Sequence, residues 1–142
     1  MPLPVVDLGG LQIDVREYSV TDQQQVEQYK SANGNFWVAV LSNDPSRVVG
    51  AVGLGYEAGG IGLLRRMSVA SEFQRMGIGR QLVLHLEHWA RNHQFVKIRL
   101  ITRQEMLSSH KFYESLGYAR TKSFPAAPGL PVVMFEFSKH LR

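Results

Sequence analysis

The chain has 142 residues, of which 44% are hydrophobic and 20% charged, with a formal charge of +4. This suits a single globular domain with a real core and an anionic ligand. It contains no cysteine, which excludes disulfides, a thiolate zinc site and a cysteine nucleophile and is compatible with a reducing compartment. A cytoplasmic location is the expectation. No run of about 18 apolar residues and no basic-then-apolar leader occurs, so neither a membrane span nor a signal peptide is expected.

Residues 1–10 carry prolines and glycines without periodicity, and a loose arm is expected there. Leu11, Ile13 and Val15 alternate with polar residues and predict a first strand. Thr21 or Asp22 is the expected N-cap of a short polar helix over 22–31, with Val26 and Tyr29 inward and Asn33-Gly34-Asn35 as its breaker. Strands are expected over 36–41, 48–56 and 61–69, turning at 42–46 and 58–60, as an antiparallel meander. Gly50, Gly53 and Gly55 suggest a bulge or close neighbours in the middle strand.

A long amphipathic helix is expected over 77–93. Ile78, Leu82, Val83, Leu86 and Ala90 recur at helical spacing, with Arg80, Gln81, His85, His88 and Arg91 mostly on the other side. A strand over 96–102, a helix over 106–115 stopped by Gly117, a strand over 118–124, a proline-bound loop over 125–131 and a strand over 132–138 complete the chain. This order predicts an α/β (α+β) mixed sheet flanked by helices, one domain over 1–142. Its strand–helix–strand–helix step implies parallel neighbours with a ligand at their carboxyl ends.

The stretch over 67–86, MSVASEFQRMGIGRQLVLHL, leads a strand into the long helix through a loop holding Gln74, Gly77 and Gly79. Gly77 can take positive φ, and Gly79 has no Cβ to block a close-lying ligand. The helix start adds unpaired N–H groups and a positive dipole end, and Arg75 and Arg80 add charge. We read the stretch as a pyrophosphate cradle, against an ordinary glycine turn into a helix. It is not a P-loop, because no Gly-Lys-Ser/Thr follows. A dinucleotide fingerprint would need a small residue at Leu82 and an acidic one about 20 residues on, where Lys97 and Arg99 stand. Nucleic acid is not an expected partner. Arg65, Arg66, Arg75, Arg80, Arg91, Lys97, Arg99 and Arg103 are scattered over strands and helices, and no nucleic-acid motif appears.

Gln74-Arg75-Met76-Gly77-Ile78-Gly79 resembles the acetyl-CoA loop, Gln/Arg-x-x-Gly-x-Gly/Ala, of the GCN5-related N-acetyltransferases (GNAT). Leu64-Arg65-Arg66-Met67-Ser68-Val69, followed by Glu72-Phe73-Gln74, resembles the strand that feeds that loop. Ile13-Asp14-Val15-Arg16 followed by Asp22 resembles the family's opening strand. Phe112-Tyr113-Glu114-Ser115-Leu116-Gly117-Tyr118 resembles its Leu-Tyr-Glu-x-Leu-Gly-Phe phrase. Trp37-Val38-Ala39 and Leu107-Ser108-Ser109 further resemble the subgroup related to kidney-type N-acetyltransferases, which carry a membrane segment; none is expected in this chain.

The resemblance runs from 13 to 137. It implies the GNAT acyltransferase fold, acetyl-CoA as donor, and transfer of acetyl to a primary amine by direct attack in a ternary complex. The acceptor is a small molecule, an amino-acid conjugate or a peptide. A catalytically weak CoA-binding sensor of the same fold is the alternative. Backbone groups of Met67, Ser68 and Val69 are implied for the pantetheine arm and acetyl carbonyl, with a strand splayed after Val69. Gln74, Arg75, Met76, Gly77, Ile78, Gly79 and Arg80 are implied for the pyrophosphate. Ser108 and Ser109 most simply cap their helix, with Ser108 as a further CoA contact. Tyr113 is implied as the general acid toward the CoA thiolate, against a packing role beside Phe112.

The base is less defined. Relatives place a glutamate where this chain has Leu63, so Glu57 acting through water is the remaining candidate, against a plain solvated turn residue. His85 and His88 are spaced i, i+3, but no cysteine or placed carboxylate joins them, so they are read as surface residues and no metal is expected. His110 faces the site or packs, and Trp37 and Trp89 are read as core. Only about fifteen residues separate the first strand from Phe36, room for one helix where relatives use two. The acceptor pocket is therefore expected to be open, completed by a partner subunit, or shortened because the N-terminal region is trimmed, which leaves a homodimer open. The loop over 125–131 is its other wall or a connector.

Overall fold

A computed structural model describes residues 6–18 and 33–141. Among them, eight strands form one sheet in the order β1-β2-β3-β4-β5-β6-β8-β7. The strands are β1 (Val6–Leu8), β2 (Leu11–Glu17), β3 (Asn35–Leu41), β4 (Asp44–Glu57), β5 (Ile61–Val69), β6 (Lys97–Arg103), β7 (Ala119–Pro125) and β8 (Val133–His140). Two helices, α1 (Ile78–Arg91) and α2 (Leu107–Ser115), pack with them. Neighbouring strands run antiparallel except β5 and β6, which are parallel. The mixed sheet expected from the element order is therefore present. The helix expected over 22–31, with Thr21, Asp22, Val26 and Tyr29, lies outside the described residues.

The expected loose arm is corrected over its second half. Val6–Leu8 pairs with β2, from Val6 opposite Ile13 to Leu8 opposite Leu11. Gly9 and Gly10 turn between them at φ 64° and 94°, and the Asp7 carboxylate accepts the Gly10 N–H at 2.9 Å. Such an Asx-type turn on two glycines makes a tight hairpin without any hydrophobic run. The turn expected over 42–46 also shrinks. Register shifts at Ala39, Val40 and Leu41 let β4 start pairing at Asp44.

One face of the sheet carries the core. Ile13, Val15, Trp37, Ala39, Val52, Leu54, Leu64, Ile98 and Leu100 meet Ile78, Leu82, Val83, Leu86 and Ala90 of α1. The opposite face carries Phe36, Val38 and Val40, with Tyr18 and Ala51 against them. β3 is thus buried on both sides, as its unbroken apolar run requires. Each fully buried aliphatic side chain in this set contributes roughly 1.5–3 kcal/mol. Gly50 lets α1 approach β4: a Cβ there would lie 3.0 Å from Leu82 Cδ1 and 3.2 Å from Ile78 Cγ2.

Three helix expectations change. His85 is only 8% exposed, so it belongs to the buried side of α1. Its Nδ1 lies 2.7 Å from the Gln81 carbonyl oxygen, and burial lowers its pKa. α2 begins at Leu107, with Met106 at the N-cap and no side-chain cap, so neither Ser108 nor Ser109 caps it. Trp89 is half-buried, edge-on to Trp37 at 5.5 Å and stacked on His93 at 4.0 Å. Gly117, at φ 96°, ends α2 as expected.

Candidate active site

The site is built where β5 and β6 separate. They pair only from Ile61–Lys97 to Leu63–Arg99. β5 nevertheless stays on β4 as far as Val69, and β6 stays on β8 as far as Arg103. Beyond Leu63 and Arg99 the facing edges have no strand partner among the described residues. The splay thus begins six residues before Val69, the position expected for it. Its cause is local. Ala51 faces Ser68 while Gly53 faces Arg65, so Arg66 and Met67 together oppose Val52. Arg66 takes φ 59°. A bulge of this kind bends its strand and sharpens the twist, which steers the end of β5 away from β6. Met67, within the bulge, and Ser68 and Val69 after it run along the crevice.

From Val69 the chain turns through a single 3-10 turn, Ser71–Phe73. The Gln74 side chain closes this turn by donating from Nε2 to the Val69 carbonyl oxygen at 3.0 Å. Arg75 and Gly77 both take left-handed backbone, at φ 63° and 92°. Gly77 is the N-cap of α1, and no side chain caps the helix. The first intrahelical donor is the Gln81 N–H, to the Gly77 carbonyl oxygen at 3.1 Å. The amides before it are the orphan donors of a helix start, at the positive end of its dipole. Gln74, Arg75, Met76 and Arg80 are exposed around them, and Ile78 is buried beneath. The purpose assigned to Gly79 is corrected. A Cβ there would lie 3.2 Å from Phe112 Cζ, so this glycine admits the Phe112 ring of α2.

Tyr113 is 6% exposed. Its ring stands edge-on to Phe112 at 4.9 Å and to Tyr118 at 5.7 Å. Burial pushes its phenol up to about 12. Its hydroxyl makes no hydrogen bond to another described residue. Ser108 is exposed in the first turn of the same helix.

Glu57 is no free turn residue. It ends β4 and grips Arg99, with Nε to Oε1 at 2.7 Å and Nη2 to Oε2 at 2.8 Å. The Arg99 hydrogen bond lowers its pKa, against a smaller opposing effect of burial. Arg99 also donates from Nη1 to Glu136 Oε2 at 3.1 Å, and Thr121 Oγ1 donates to Glu136 Oε1 at 2.7 Å. Ile98 and Leu100 face α1, so Arg99 between them lies on the other face of the sheet. It stands at the last paired position before the strands part.

The acetyltransferase (GNAT) family profile matches residues 8–118. The chain belongs to the acetyltransferase (GNAT) family. N-acetylaspartate synthetase of Xenopus tropicalis is 39% identical over 101 residues, which are 69% of this chain and 36% of that protein. N-acetyltransferase family 8 member 2 of Rattus norvegicus is 28% identical over 97 residues, 67% of this chain and 43% of that protein. The chain thus covers less than half the length of these relatives. A GNAT family acetyltransferase from Elizabethkingia anophelis, solved with acetyl-CoA bound, superposes with a TM-score of 0.75 at 17% identity, covering 90% of this chain and 97% of that one.

Within this GNAT domain the structure brings together Met67–Val69, the Gln74–Arg80 loop and the N-terminus of α1, with Phe112 of the Tyr113 helix packed on Gly79. It does not bring His85 and His88 to one place. His85 is buried, while His88 is exposed beside Asn92. His110 packs between Phe135 and Phe137, with Nε2 2.9 Å from Thr102 Oγ1. Sequence reasoning missed two buried carboxylates, Glu87 and Glu136. The signal for Glu136 is an acidic residue between two phenylalanines of a strand. Glu87 gives no local signal, because its main partner, Lys139, is 52 positions away. No helix among the described residues is long and apolar enough to cross a membrane.

Proposed function

We propose that this protein is an acetyl-CoA-dependent N-acetyltransferase that passes the acetyl group to a primary amine by direct attack in a ternary complex. The observation that carries this reading is a β5–β6 splay leading into an uncapped helix start, in a chain of the GNAT family. The amides from Gly77 to Arg80 cradle the pyrophosphate, with Gln74, Arg75, Met76 and Arg80 around it. The amide-rich pantetheine arm pairs with the free edge over Met67, Ser68 and Val69, and Ser108 lines its path.

In the transfer step the amine nitrogen bonds to the thioester carbonyl carbon, and the carbon–sulfur bond breaks. A backbone N–H near Val69 stabilises the oxyanion. The sulfur leaves toward Tyr113, whose phenol keeps its proton at neutral pH and donates it to the thiolate. The amine's proton passes to water. Glu57 is a weak acceptor for it, because Arg99 stabilises its carboxylate.

An amino-acid acceptor is the finer part of the proposal. The relatives named N-acetylaspartate synthetases support it. So do Arg65 and Arg66, both exposed on β5 where the crevice opens, which suit an acceptor carrying carboxylates. Leu63, where a carboxylate is expected, favours a second reading: a CoA-binding module that does no chemistry.

Thermal unfolding with acetyl-CoA, and with ATP as the phosphate control, tests the donor. At about 100 times its dissociation constant, a ligand adds roughly 2.7 kcal/mol, several degrees for a domain of this size. Thiol release is then followed with aspartate, glycine, lysine and a polyamine. A shift with acetyl-CoA alone, followed by amine-dependent thiol release, is the expected result. A shift without release from any amine favours the sensor, and no shift removes the cradle.

A further inference from the structure

Two ties hold α2 against α1. The first is the Phe112 ring on Gly79, where a Cβ would lie 3.2 Å from Cζ. The second is a buried polar cluster at Glu87, about 12 Å further along α1 at 1.5 Å per residue. The Glu87 side chain is 1% exposed. Its carboxylate accepts from Tyr118 Oη at 2.8 Å and from Lys139 Nζ at 3.1 Å to each oxygen. Arg91, one turn on, lies 3.9 Å from the same carboxylate.

The cluster converges on the turn that ends α2. Lys139 Nζ donates to the Leu116 carbonyl oxygen at 2.7 Å. A Cβ on Gly117 would lie 3.3 Å from Lys139 Cε, so the lysine stem runs beneath the glycine. Tyr118 follows directly, and its hydroxyl reaches Glu87. Tyr113 is wired into this turn. Its carbonyl oxygen accepts the N–H groups of Leu116 and Tyr118, each at 3.0 Å. Its ring rests edge-on against the Tyr118 ring at 5.7 Å. Tyr113 therefore lies between the two ties, next to Phe112 and one turn before Leu116.

A buried ion pair adds little stability over apolar residues of the same size. What it does add is direction, because charge-assisted hydrogen bonds fix angles that apolar packing leaves loose. Here the fixed angle is that of α2 against the helix whose N-terminus forms the proposed pyrophosphate cradle. We propose that the buried Glu87–Lys139–Tyr118 network is a positioning device that sets the Tyr113 hydroxyl relative to the cofactor-loop helix. This rests on the N-acetyltransferase reading and on Tyr113 as its acid. The three residues touch neither substrate, and they act by placing α2.

The test compares wild type, Tyr113→Phe, the charge-free pair Glu87→Gln with Lys139→Met, and the triple variant. Acetyl-CoA affinity and acceptor KM are measured beside kcat, because a merely structural defect moves all three. A misplaced acid lowers kcat alone; a displacement near 1 Å costs about a hundredfold, so about half of that is enough for about tenfold. The expected result is a kcat about tenfold lower in the pair, acetyl-CoA affinity and acceptor KM within about twofold, and a triple variant no slower than Tyr113→Phe. If the pair does not fold, Tyr118→Phe removes one hydroxyl only and takes its place in the same comparison. An unchanged kcat in the pair, or a triple variant slower than Tyr113→Phe by the pair's full factor, overturns the proposal. Wild type without turnover on any amine overturns the N-acetyltransferase reading instead. A Tyr113→Phe variant as fast as wild type overturns the acid assignment, and this inference with it.

Discussion

Replacing Gly77 by alanine isolates the backbone contribution in the proposed cofactor loop. At φ 92° this residue sits where a side chain is strained, yet among the described residues an added Cβ would meet only Leu8, with Cδ2 at 3.5 Å and Cδ1 at 3.8 Å. That is ordinary contact, so no packing clash enters. Left-handed backbone costs an L-residue about 1–2 kcal/mol. The stiffer unfolded chain returns about 0.4–1 kcal/mol. The net expectation is a loss of about 1 kcal/mol, or about 3 °C in the unfolding midpoint of a domain this size. Gly77→Asn retains much of the left-handed tolerance and should lose less than half of that. If the amides from Gly77 onward cradle a pyrophosphate, relaxing φ at this position also turns donors away. Acetyl-CoA affinity should then fall about tenfold in Gly77→Ala, equivalent to the loss of about one charge-assisted hydrogen bond, and less in Gly77→Asn. Differential scanning calorimetry and titration calorimetry on the three proteins read both quantities. Equal midpoints and equal affinities for Ala and Gly would refute the reasoning. So would an Asn variant worse than the Ala one.

Three further outcomes are expected. His85 is buried and its Nε2 has no partner among the described residues, and burial lowers its pKa below the ordinary 6.5. The unfolded chain binds this proton more readily, so its contribution to stability is complete above about pH 6.5 and declines as pH falls below that toward the folded value. His85→Leu should therefore flatten the acid limb of midpoint against pH between pH 7 and 5, while a variant whose limb matches wild type would show that other groups set it. Arg99→Met leaves the Glu136 side chain, 8% exposed, buried without its cation. A loss of about 3 kcal/mol is expected in urea unfolding, largely recovered by adding Glu136→Gln, and a single variant within about 0.5 kcal/mol of wild type would contradict this. Tyr113→Phe should lower kcat with little change in acetyl-CoA affinity. Because burial holds the phenol near 12, wild-type kcat should show no basic decline from Tyr113 below about pH 10, and a limb there that vanishes in the Phe variant would contradict the shift.

The glycine loop, the apolar stripe of α1 and the stop at Gly117 were legible in the sequence because each is a local matter. A helix repeats its buried positions every three or four residues, and a left-handed turn asks for glycine at one position. The element order and the mixed sheet followed from these phrases in succession. β1 was not legible, because three residues carry no pattern and their pairing depends on a hairpin closed by Asp7 and two glycines. Nor was the start of the splay, which depends on a bulge opposite Val52. His85 was assigned to the wrong side, because periodicity gives an angle around a helix axis and not the width of the surface that covers it.

The amino-acid sequence by itself determined the family, the order of elements and the stretch proposed as the cradle, since these are written in short contiguous phrases. Tertiary structure alone decided that Gly79 makes room for Phe112 and that Glu57 is held by Arg99. It alone placed Glu87 between Tyr118 and Lys139. The physical reason is the same in each case: the partner lies between 31 and 52 positions away, and the range of local propensity is a few turns of chain. Which charge is buried, and against what, is settled only when distant strands and helices are brought into contact.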